Sequence, residues 1–330
     1  MLQELAPNFF RLTVPLADSP LKSLNACLIK GRDRHLLVDS GFGTKECYDS
    51  ITADLKEAGA DIGKMDYVIT HCHADHYGLT STLAEETNTI SRPKVFSSRW
   101  EAECITNFLQ NGWGTEFDTM ASHGFSLDWA EMMFGEHPGN RHGGNYHFPF
   151  SHVEDGDVLE YGDYALRVIL VPGHTPGLVS LYDPKTRIYI AMDHILGTIT
   201  PNITSWHNKQ DNLGNYLQSL DKVRDMDISL TVSGHRELVE DTRTRIEELK
   251  EHHRVRLAQA MSILEKGPAN AYTVASQMTW SIRARNWDDF PLPQKWFATG
   301  EAIAHLEHLE FTGLVSSGIE NGEMIFRRAD

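Results

Sequence analysis

The segment THCHADH, residues 70–76, places three histidines and one aspartate within seven consecutive residues. It follows the short apolar run 64–70 and precedes a predicted helix at 79–86, so we expect it to form the turn between a strand and a helix. Imidazole nitrogens and carboxylate oxygens suit zinc, iron and manganese, whereas a site made only of oxygen ligands would favour calcium or magnesium. The segment therefore predicts a transition-metal site.

The spacing within this turn leaves room for two ions. Alternate side chains of extended backbone share one face, so His71 and His73 can converge on one ion while Asp75 and His76 reach a second. The same alternation directs Cys72 away from the ions and into the packed interior. The alternative is that this is only a solvated histidine-rich loop, and ligand candidates further along the chain argue against it.

Those candidates each follow an apolar run that is predicted to be a strand. His174 lies in VPGHTPG, Asp193 closes IYIAMD, and His235 ends SGH. Taken alone, the three could be a turn residue, a helix cap and a core histidine. Together with the turn at 70–76 they place ligand-type side chains at four strand ends, which predicts one shared cleft.

These residues resemble the metallo-β-lactamase superfamily, whose HxHxDH motif and later His, Asp and His are matched in identity, order and approximate spacing over about residues 8–240. The resemblance implies an α+β fold, a four-layer αββα sandwich. It also implies a ligand set: His71, His73 and His174 for the first metal, Asp75, His76 and His235 for the second, and Asp193 bridging both.

Two further positions refine the resemblance. Asp39, in the segment VDSG, stands where the superfamily has an aspartate that supports the metal loop without binding metal. Ala74 stands where the iron-preferring flavodiiron relatives have a glutamate ligand. The resemblance therefore favours the hydrolytic branches over the oxygen-reducing one.

The order of predicted elements suggests three parts. Residues 1–267 form the predicted catalytic domain, and within it residues 98–150 depart from the strand pattern as a helical insertion. A long predicted helix, 241–264, is stopped by Gly267 and Pro268. The tail 268–330 then reads as two helices and a hairpin, an order that resembles a winged helix.

Four side chains are predicted to contact substrate. Trp113 and Phe117 belong to the apolar surface of the insertion, which we expect to act as a lid over the metal cleft. Simple packing of these helices on the domain is the alternative. Tyr77 and His194 adjoin ligands in the sequence, and they could either touch substrate or brace Asp75 and Asp193.

The composition is that of an ordinary folded enzyme. Of 330 residues, 41% are hydrophobic and 23% charged, and no apolar run approaches the roughly 20 residues that a membrane span needs. The opening residues lack the features of a secretory signal, and the four cysteines are scattered without a CxxC pair. We expect a cytoplasmic protein with thiols rather than disulfides.

The predicted chemistry is metal-assisted hydrolysis. Two divalent ions, most readily zinc with iron or manganese as alternatives, can share a water, lower its pKa and hold the resulting bridging hydroxide against a carbonyl or phosphoryl centre. Asp75 is the predicted catalytic residue, which orients this hydroxide and accepts its proton. The leading hypothesis is a small thioester or ester substrate, as in the glyoxalase II-like and related thioesterase branches.

Two other reactions stay open at this stage. One is an endoribonuclease or phosphodiesterase resembling the lactamase-beta-2-like branch, which combines the same motif with a winged-helix-like tail. The net charge of −16 disfavours nucleic acid, and the only suggestive basic cluster is Arg283, Arg285 and Lys295. The other is a mononuclear iron persulfide dioxygenase. The sequence also leaves the oligomeric state open, with a homodimer as one option.

Overall fold

A computed structural model describes residues 1–329 except 18, 112–113, 137–140, 145, 207–209 and 282–283. The chain divides into two compact units. The first unit comprises 1–110, 138–201 and 219–246, and the second comprises 111–137, 202–218 and 247–330.

Seven strands of the first unit form one sheet, in which their spatial order is their order in the chain. They are β1 Leu2–Ala6, β2 Phe9–Pro15, β3 Ser23–Lys30, β4 His35–Val38, β5 Met65–Val68, β6 Val95–Ser97 and β7 Phe150–His152. Strands β1 to β4 are antiparallel, and β4 to β7 are parallel. The carboxyl ends of β4 and β5 therefore lie at the same edge of the sheet.

A second sheet in the same unit has the order β12-β11-β10-β9-β8. Its strands are β8 Val158–Tyr161, β9 Tyr164–Leu170, β10 Val179–Asp183, β11 Ile188–Met192 and β12 Leu230–Ser233. Strands β11 and β12 are parallel, and the other pairs are antiparallel. The segments that follow β11 and β12 consequently leave the sheet at one edge.

The two sheets pack against each other through a shared apolar core. Strand β9 alternates buried and exposed residues along most of its length, and its inward residues Leu166 and Val168 join Ile29 and Val38 of the first sheet. Complete burial of a leucine side chain contributes about 1.5–3 kcal/mol. Strands β3 to β5 are buried almost throughout, as expected for strands covered on both faces. This architecture confirms the predicted α+β sandwich.

Helices cover the sheets and build most of the second unit. They are α1 Lys45–Glu57, α2 Ala74–Tyr77, α3 Thr80–Asn88, α4 Arg99–Asn111, α5 Gly114–Ser122, α6 Leu127–Glu136, α7 Asn212–Arg224, α8 Thr242–Leu264, α9 Ala271–Gln277 and α10 Leu292–Phe311. The hydroxyl of Thr44 caps α1 by accepting the amide hydrogen of Cys47. None of the helices in the described ranges is long and apolar enough to cross a bilayer.

The tail has the predicted order of elements. Helix α8 ends at Leu264, shortly before Gly267, and α9 and α10 are followed by a hairpin of β13 Val315–Glu320 and β14 Glu323–Arg328. Asn321 and Gly322 form its turn with φ of 51° and 88°, as expected for a two-residue turn of this composition. The winged-helix character of the tail stays a prediction.

The predicted insertion is divided between the two units. Helices α5 and α6 place Phe125 and Met133 in one apolar core with residues of α8, α9 and α10. The Phe125 ring lies 5.4 Å from the ring of Trp296, edge to face. The second unit is therefore larger than the predicted tail 268–330, and the role of the insertion as a lid stays a prediction.

Candidate metal centre

Three histidine nitrogens meet at the turn between β5 and α2. Nδ1 of His73 lies 3.0 Å from Nε2 of His71 and 3.0 Å from Nε2 of His174. Nitrogens bound to one tetrahedral zinc ion at about 2.1 Å lie about 3.4 Å apart. The first ligand group, defined as these three histidines, therefore has nearly the spacing of a metal site, and all three side chains were predicted to share one ion.

A second ligand group adjoins the first. It consists of Asp75, His76 and His235, whose candidate ligand atoms lie within 4.8 Å of one another. Oδ2 of Asp75 lies 3.4 Å from Nε2 of His235 and 3.9 Å from Nε2 of His76. The short helix α2 carries Asp75 and His76, and the loop after β12 carries His235.

The carboxylate of Asp193 lies between the two groups. Its Oδ1 is 3.5 Å from Nε2 of His76 and 3.5 Å from Nε2 of His235. Its Oδ2 is 3.6 Å from Nε2 of His174. One oxygen faces each group because Asp193 directly follows β11, whose end lies beside that of β12. This is the arrangement expected of a bridging ligand.

Buried atoms without hydrogen-bond partners show that these residues fit a metal. Within the described ranges, Nε2 of His76, Nε2 of His235 and Oδ1 of Asp193 are buried and accept or donate no hydrogen bond. An unsatisfied buried polar group costs about 1–3 kcal/mol. These three atoms converge on one point, and divalent cations bound there would satisfy them.

The pKa shifts of His71 and His76 also fit a metal site. Burial, followed by the neighbouring imidazoles of His76 and His73, lowers the pKa of His71 well below 6.5, so His71 is the neutral ligand that a metal needs. Burial alone would lower the pKa of His76, but Asp39 and Asp193 raise it to about 10. A bound cation would take the place of the proton that these carboxylates stabilise on His76.

Other side chains orient the ligand imidazoles. Oδ2 of Asp39 lies 2.6 Å from Nδ1 of His76, which turns Nε2 of that ring toward Asp193. The same carboxylate accepts hydrogen bonds from the Thr70 amide at 2.8 Å and the Thr70 hydroxyl at 2.7 Å. Nδ1 of His235 lies 2.8 Å from the carbonyl oxygen of Ser23. These contacts suit the supporting role that the resemblance implied for Asp39, and that role stays a prediction.

The structure places three of the four predicted substrate contacts in packed surroundings. His194 is fully buried, with its Nδ1 2.9 Å from the Tyr189 hydroxyl. Tyr77 is buried, and burial followed by the neighbouring Cys72 raises its pKa. Phe117 packs in the core of the second unit, 5.7 Å from the Trp296 ring, and Trp113 lies outside the described residues. A role of these four residues in binding substrate stays a prediction.

Cys72 is placed as its alternation in the turn predicted. Its side chain is buried, and its sulfur lies 3.1 Å from that of Cys104 on α4. Burial, followed by the hydrogen bond with Cys104, raises the pKa of the Cys72 thiol well above 9.0. A buried protonated thiol is a poor nucleophile, so Cys72 fills space behind the ligands.

Sequence reasoning missed Glu101. This residue lies in α4, inside the predicted insertion, and its side chain is fully buried. Burial raises the pKa of its carboxyl group to about 7. Its hydrogen-bond partners lie between 29 and 76 positions away in the chain. A single glutamate at the start of a helix carries no local signal for such distant contacts.

A family model described as the metallo-beta-lactamase superfamily matches residues 21–235, which is more than half of the chain. The chain belongs to the metallo-beta-lactamase superfamily. All seven predicted ligands of this superfamily member fall inside the matched region. The match therefore covers the whole candidate metal centre.

Solved structures of the superfamily extend the similarity to nearly the full chain. A metallo-beta-lactamase family protein from Thermus thermophilus is 27% identical, with a TM-score of 0.82, and the match covers 98% of this chain and 100% of that one. A beta-lactamase domain protein from Burkholderia ambifaria is 23% identical, with a TM-score of 0.87, and the match covers 99% and 94%. The second likeness shows the fold alone.

Two sequence relatives of this metallo-beta-lactamase superfamily chain carry functional names. A Bacillus subtilis protein named "Probable metallo-hydrolase YqjP" is 22% identical over 319 residues, which are 91% of this chain and 92% of that one. Human acyl-coenzyme A thioesterase MBLAC2 is 25% identical over 178 residues, which are 51% of this chain and 57% of that one. The chain thus lies in a superfamily of metallo-hydrolases.

Proposed function

We propose that the chain is a dinuclear metal-dependent hydrolase that cleaves a small thioester or ester. One observation carries the proposal: Oδ1 of Asp193 faces His76 and His235, while Oδ2 faces His174. A carboxylate that presents one oxygen to each of two ligand groups is suited to hold two cations side by side. A single-ion site would not need both groups.

The chain's own residues would divide the work of hydrolysis. When bound, two divalent cations supply Lewis acidity and lower the pKa of a shared water toward neutrality. Asp75 has a side chain that is 11% exposed, so its carboxylate can reach a water at the cleft and hold or accept a proton there. Asp39 keeps the His76 ring in one orientation during this transfer.

The choice of an acyl substrate is supported by chemistry and by similarity. Acyl transfer to water needs no serine or cysteine nucleophile once a water is activated, and the one cysteine beside the ligands, Cys72, is buried and protonated. The human relative MBLAC2 is named an acyl-coenzyme A thioesterase. The formal net charge of −16 also suits a small substrate better than a long polyanion.

The two described residues of the basic cluster predicted from the sequence do not favour the endoribonuclease alternative. Arg283 lies outside the described residues. Arg285 is exposed, and its Nε lies 3.5 Å from a carboxylate oxygen of Asp289. Lys295 is buried, and its ammonium group donates to the carbonyl oxygen of Asp288. Arg285 and Lys295, the two described members of the cluster, therefore do not form a joint basic surface.

The proposal is tested by purifying the protein without added metal, measuring its metal content, and assaying it on thioester, lactone, phosphodiester and RNA substrates. We expect two divalent ions and hydrolysis of a thioester or ester. His73→Ala should abolish both metal binding at the first group and activity, whereas His152→Ala, at an exposed histidine of β7, should change neither. One iron with no hydrolysis would instead favour the dioxygenase alternative and overturn the proposal.

A further inference from the structure

We propose that Glu101 is a positioning residue that holds together the two loops of the first ligand group and thereby sets the affinity of that group for metal. This inference rests on the proposed function, because it concerns the same metal centre. Helix α4 brings the Glu101 carboxylate to a point between the turn that carries His71 and His73 and the loop that carries His174.

The contacts of Glu101 are divided between these two loops. Oε2 accepts the amide hydrogen of Cys72 at 2.8 Å. Oε1 accepts the hydroxyl hydrogen of Thr175 at 2.5 Å and the amide hydrogen of Gly177 at 2.9 Å. The Glu101 carboxylate therefore links Cys72, which lies between His71 and His73, to Thr175, which follows His174.

Burial strengthens these hydrogen bonds of Glu101. Glu101 and Thr175 are fully buried, and Cys72 is 3% exposed, so water does not compete for these hydrogen bonds. The loop after His174 approaches closely enough to require glycine: a Cβ on Gly177 would lie 2.5 Å from Oγ of Ser98 and 3.2 Å from Oε1 of Glu101. A shift of either loop would break at least one of the three contacts.

The hydrogen bonds of Glu101 explain how distant parts of the chain are held together in the first ligand group. His71 and His73 belong to the first sheet's edge, and His174 belongs to the connection between β9 and β10 of the second sheet. The nitrogens of His73 and His174 are only 3.0 Å apart. Loss of outer hydrogen bonds to a metal site typically weakens metal binding about 10–100-fold. We expect a loss in that range when Glu101 is disabled.

Glu101→Gln is the direct test, because glutamine keeps the size of the side chain but turns one acceptor into a donor facing a donor. Zinc affinity is measured by competition with a chromophoric chelator, and the visible spectrum of the cobalt-loaded protein reports coordination geometry. We expect one of two zinc ions to bind about 10–100-fold more weakly and the cobalt spectrum to change. Glu103→Gln, at an exposed residue of the same helix, should match the wild type.

Thr175→Val is a second test, which applies even if Glu101→Gln does not fold. It removes one of the three hydrogen bonds at nearly constant volume, and we expect a smaller loss of zinc affinity that is not additive with that of Glu101→Gln. Wild-type zinc affinity and an unchanged cobalt spectrum in the folded variants would overturn the positioning role, even if thermal stability falls. A wild-type protein that binds two ions but cleaves no ester would overturn only the proposed function.

Discussion

The imidazole of His76 is held through its Nδ1 and leaves its Nε2 without a hydrogen-bond partner. Asp39 fixes its Nδ1 at 2.6 Å, and its Nε2 points to Oδ1 of Asp193 at 3.5 Å. Asp39 itself adopts a positive φ of 60° directly after β4, a conformation that aspartate and asparagine tolerate better than most residues. At the scale of single residues, the metal centre therefore depends on side chains that would not touch an ion.

Asp39→Asn tests this dependence with little backbone strain. Asparagine can accept one of the hydrogen bonds from Thr70, but its amide nitrogen cannot replace the carboxylate charge beside His76. We expect zinc affinity to fall about 10–100-fold, measured by chelator competition. Asp49→Asn, at a half-exposed residue of α1, serves as the control. Equal affinities of Asp39→Asn and wild type would contradict this account of the site.

The sequence was informative about single residues where the chemistry is local. The ligand types and their spacing in THCHADH predicted that histidines and aspartates would meet, and the structure brings all seven candidates together. Glu101 could not be predicted because its role comes from partners far away in the chain. His194 and Tyr77 were predicted from their adjacency to ligands in the sequence; both are buried, and a substrate contact by either stays a prediction.

At the scale of elements, local periodicity predicted helices correctly but did not identify what they pack against. The insertion was expected to contain helices near 100–110 and 118–134, and the structure has α4, α5 and α6 in this region. Their apolar faces were predicted to cover the metal cleft. Phe125 and Met133 belong to the core of the second unit, a contact that depends on residues more than a hundred positions later. The role of the insertion as a lid stays a prediction.

Phe125→Ala tests the packing of the insertion. Phe125 is 2% exposed and lies in contact with the Trp296 ring, so its truncation leaves a cavity. We expect a loss of about 3–5 kcal/mol in the unfolding free energy of the second unit, measured by urea unfolding. The metal content should stay that of the wild type. Unfolding at the wild-type midpoint would show that these helices are not part of that core.

A buried histidine pair predicts acid sensitivity in the second unit. Nδ1 of His253 on α8 lies 3.1 Å from Nε2 of His305 on α10. Burial, followed by the neighbouring His305 and His252, lowers the pKa of His253 well below 6.5. Since the unfolded chain binds a proton near pH 6.5 and folded His253 does not, stability is present above that pH and is lost as the pH falls below it.

This sensitivity is measured as the unfolding free energy at pH 7.5 and 5.5. The groups that act on His253 include Tyr216 on α7, His252 and Arg256 on α8, and His305 and His308 on α10. We expect His253→Gln to reduce the difference between the two pH values relative to the wild type. His152→Gln, at an exposed histidine, should leave the difference unchanged. An equal difference in wild type and His253→Gln would contradict the prediction.

At the scale of the whole molecule, the order of elements predicted the sandwich, because the strands before the insertion form most of the first sheet and the strands after β7 form the second. The division into two units could not be predicted from the order of elements. The second unit collects three separate segments, and the predicted boundary at 267/268 falls within the last of them. Linear order cannot show which distant segments share a core.

The molecule's charge predicts weak interaction with nucleic acid. With a formal net charge of −16, most of the surface repels phosphate groups. We expect no saturable binding of single-stranded or hairpin RNA at about 0.15 M ionic strength, where long-range attraction is largely screened. Fluorescence anisotropy of labelled RNA checks this expectation. Tight, saturable binding would move the endoribonuclease alternative ahead of the thioesterase proposal.

The most direct test of the two-metal centre is the molar ratio of bound zinc to protein, measured by mass spectrometry of metal content after dialysis. The geometry of Asp193 between the two ligand groups predicts a ratio of about two for the wild type. His174→Ala and His235→Ala, one from each group, should each lower the ratio toward one. A ratio of one in the wild type, or of two in both variants, would contradict the account.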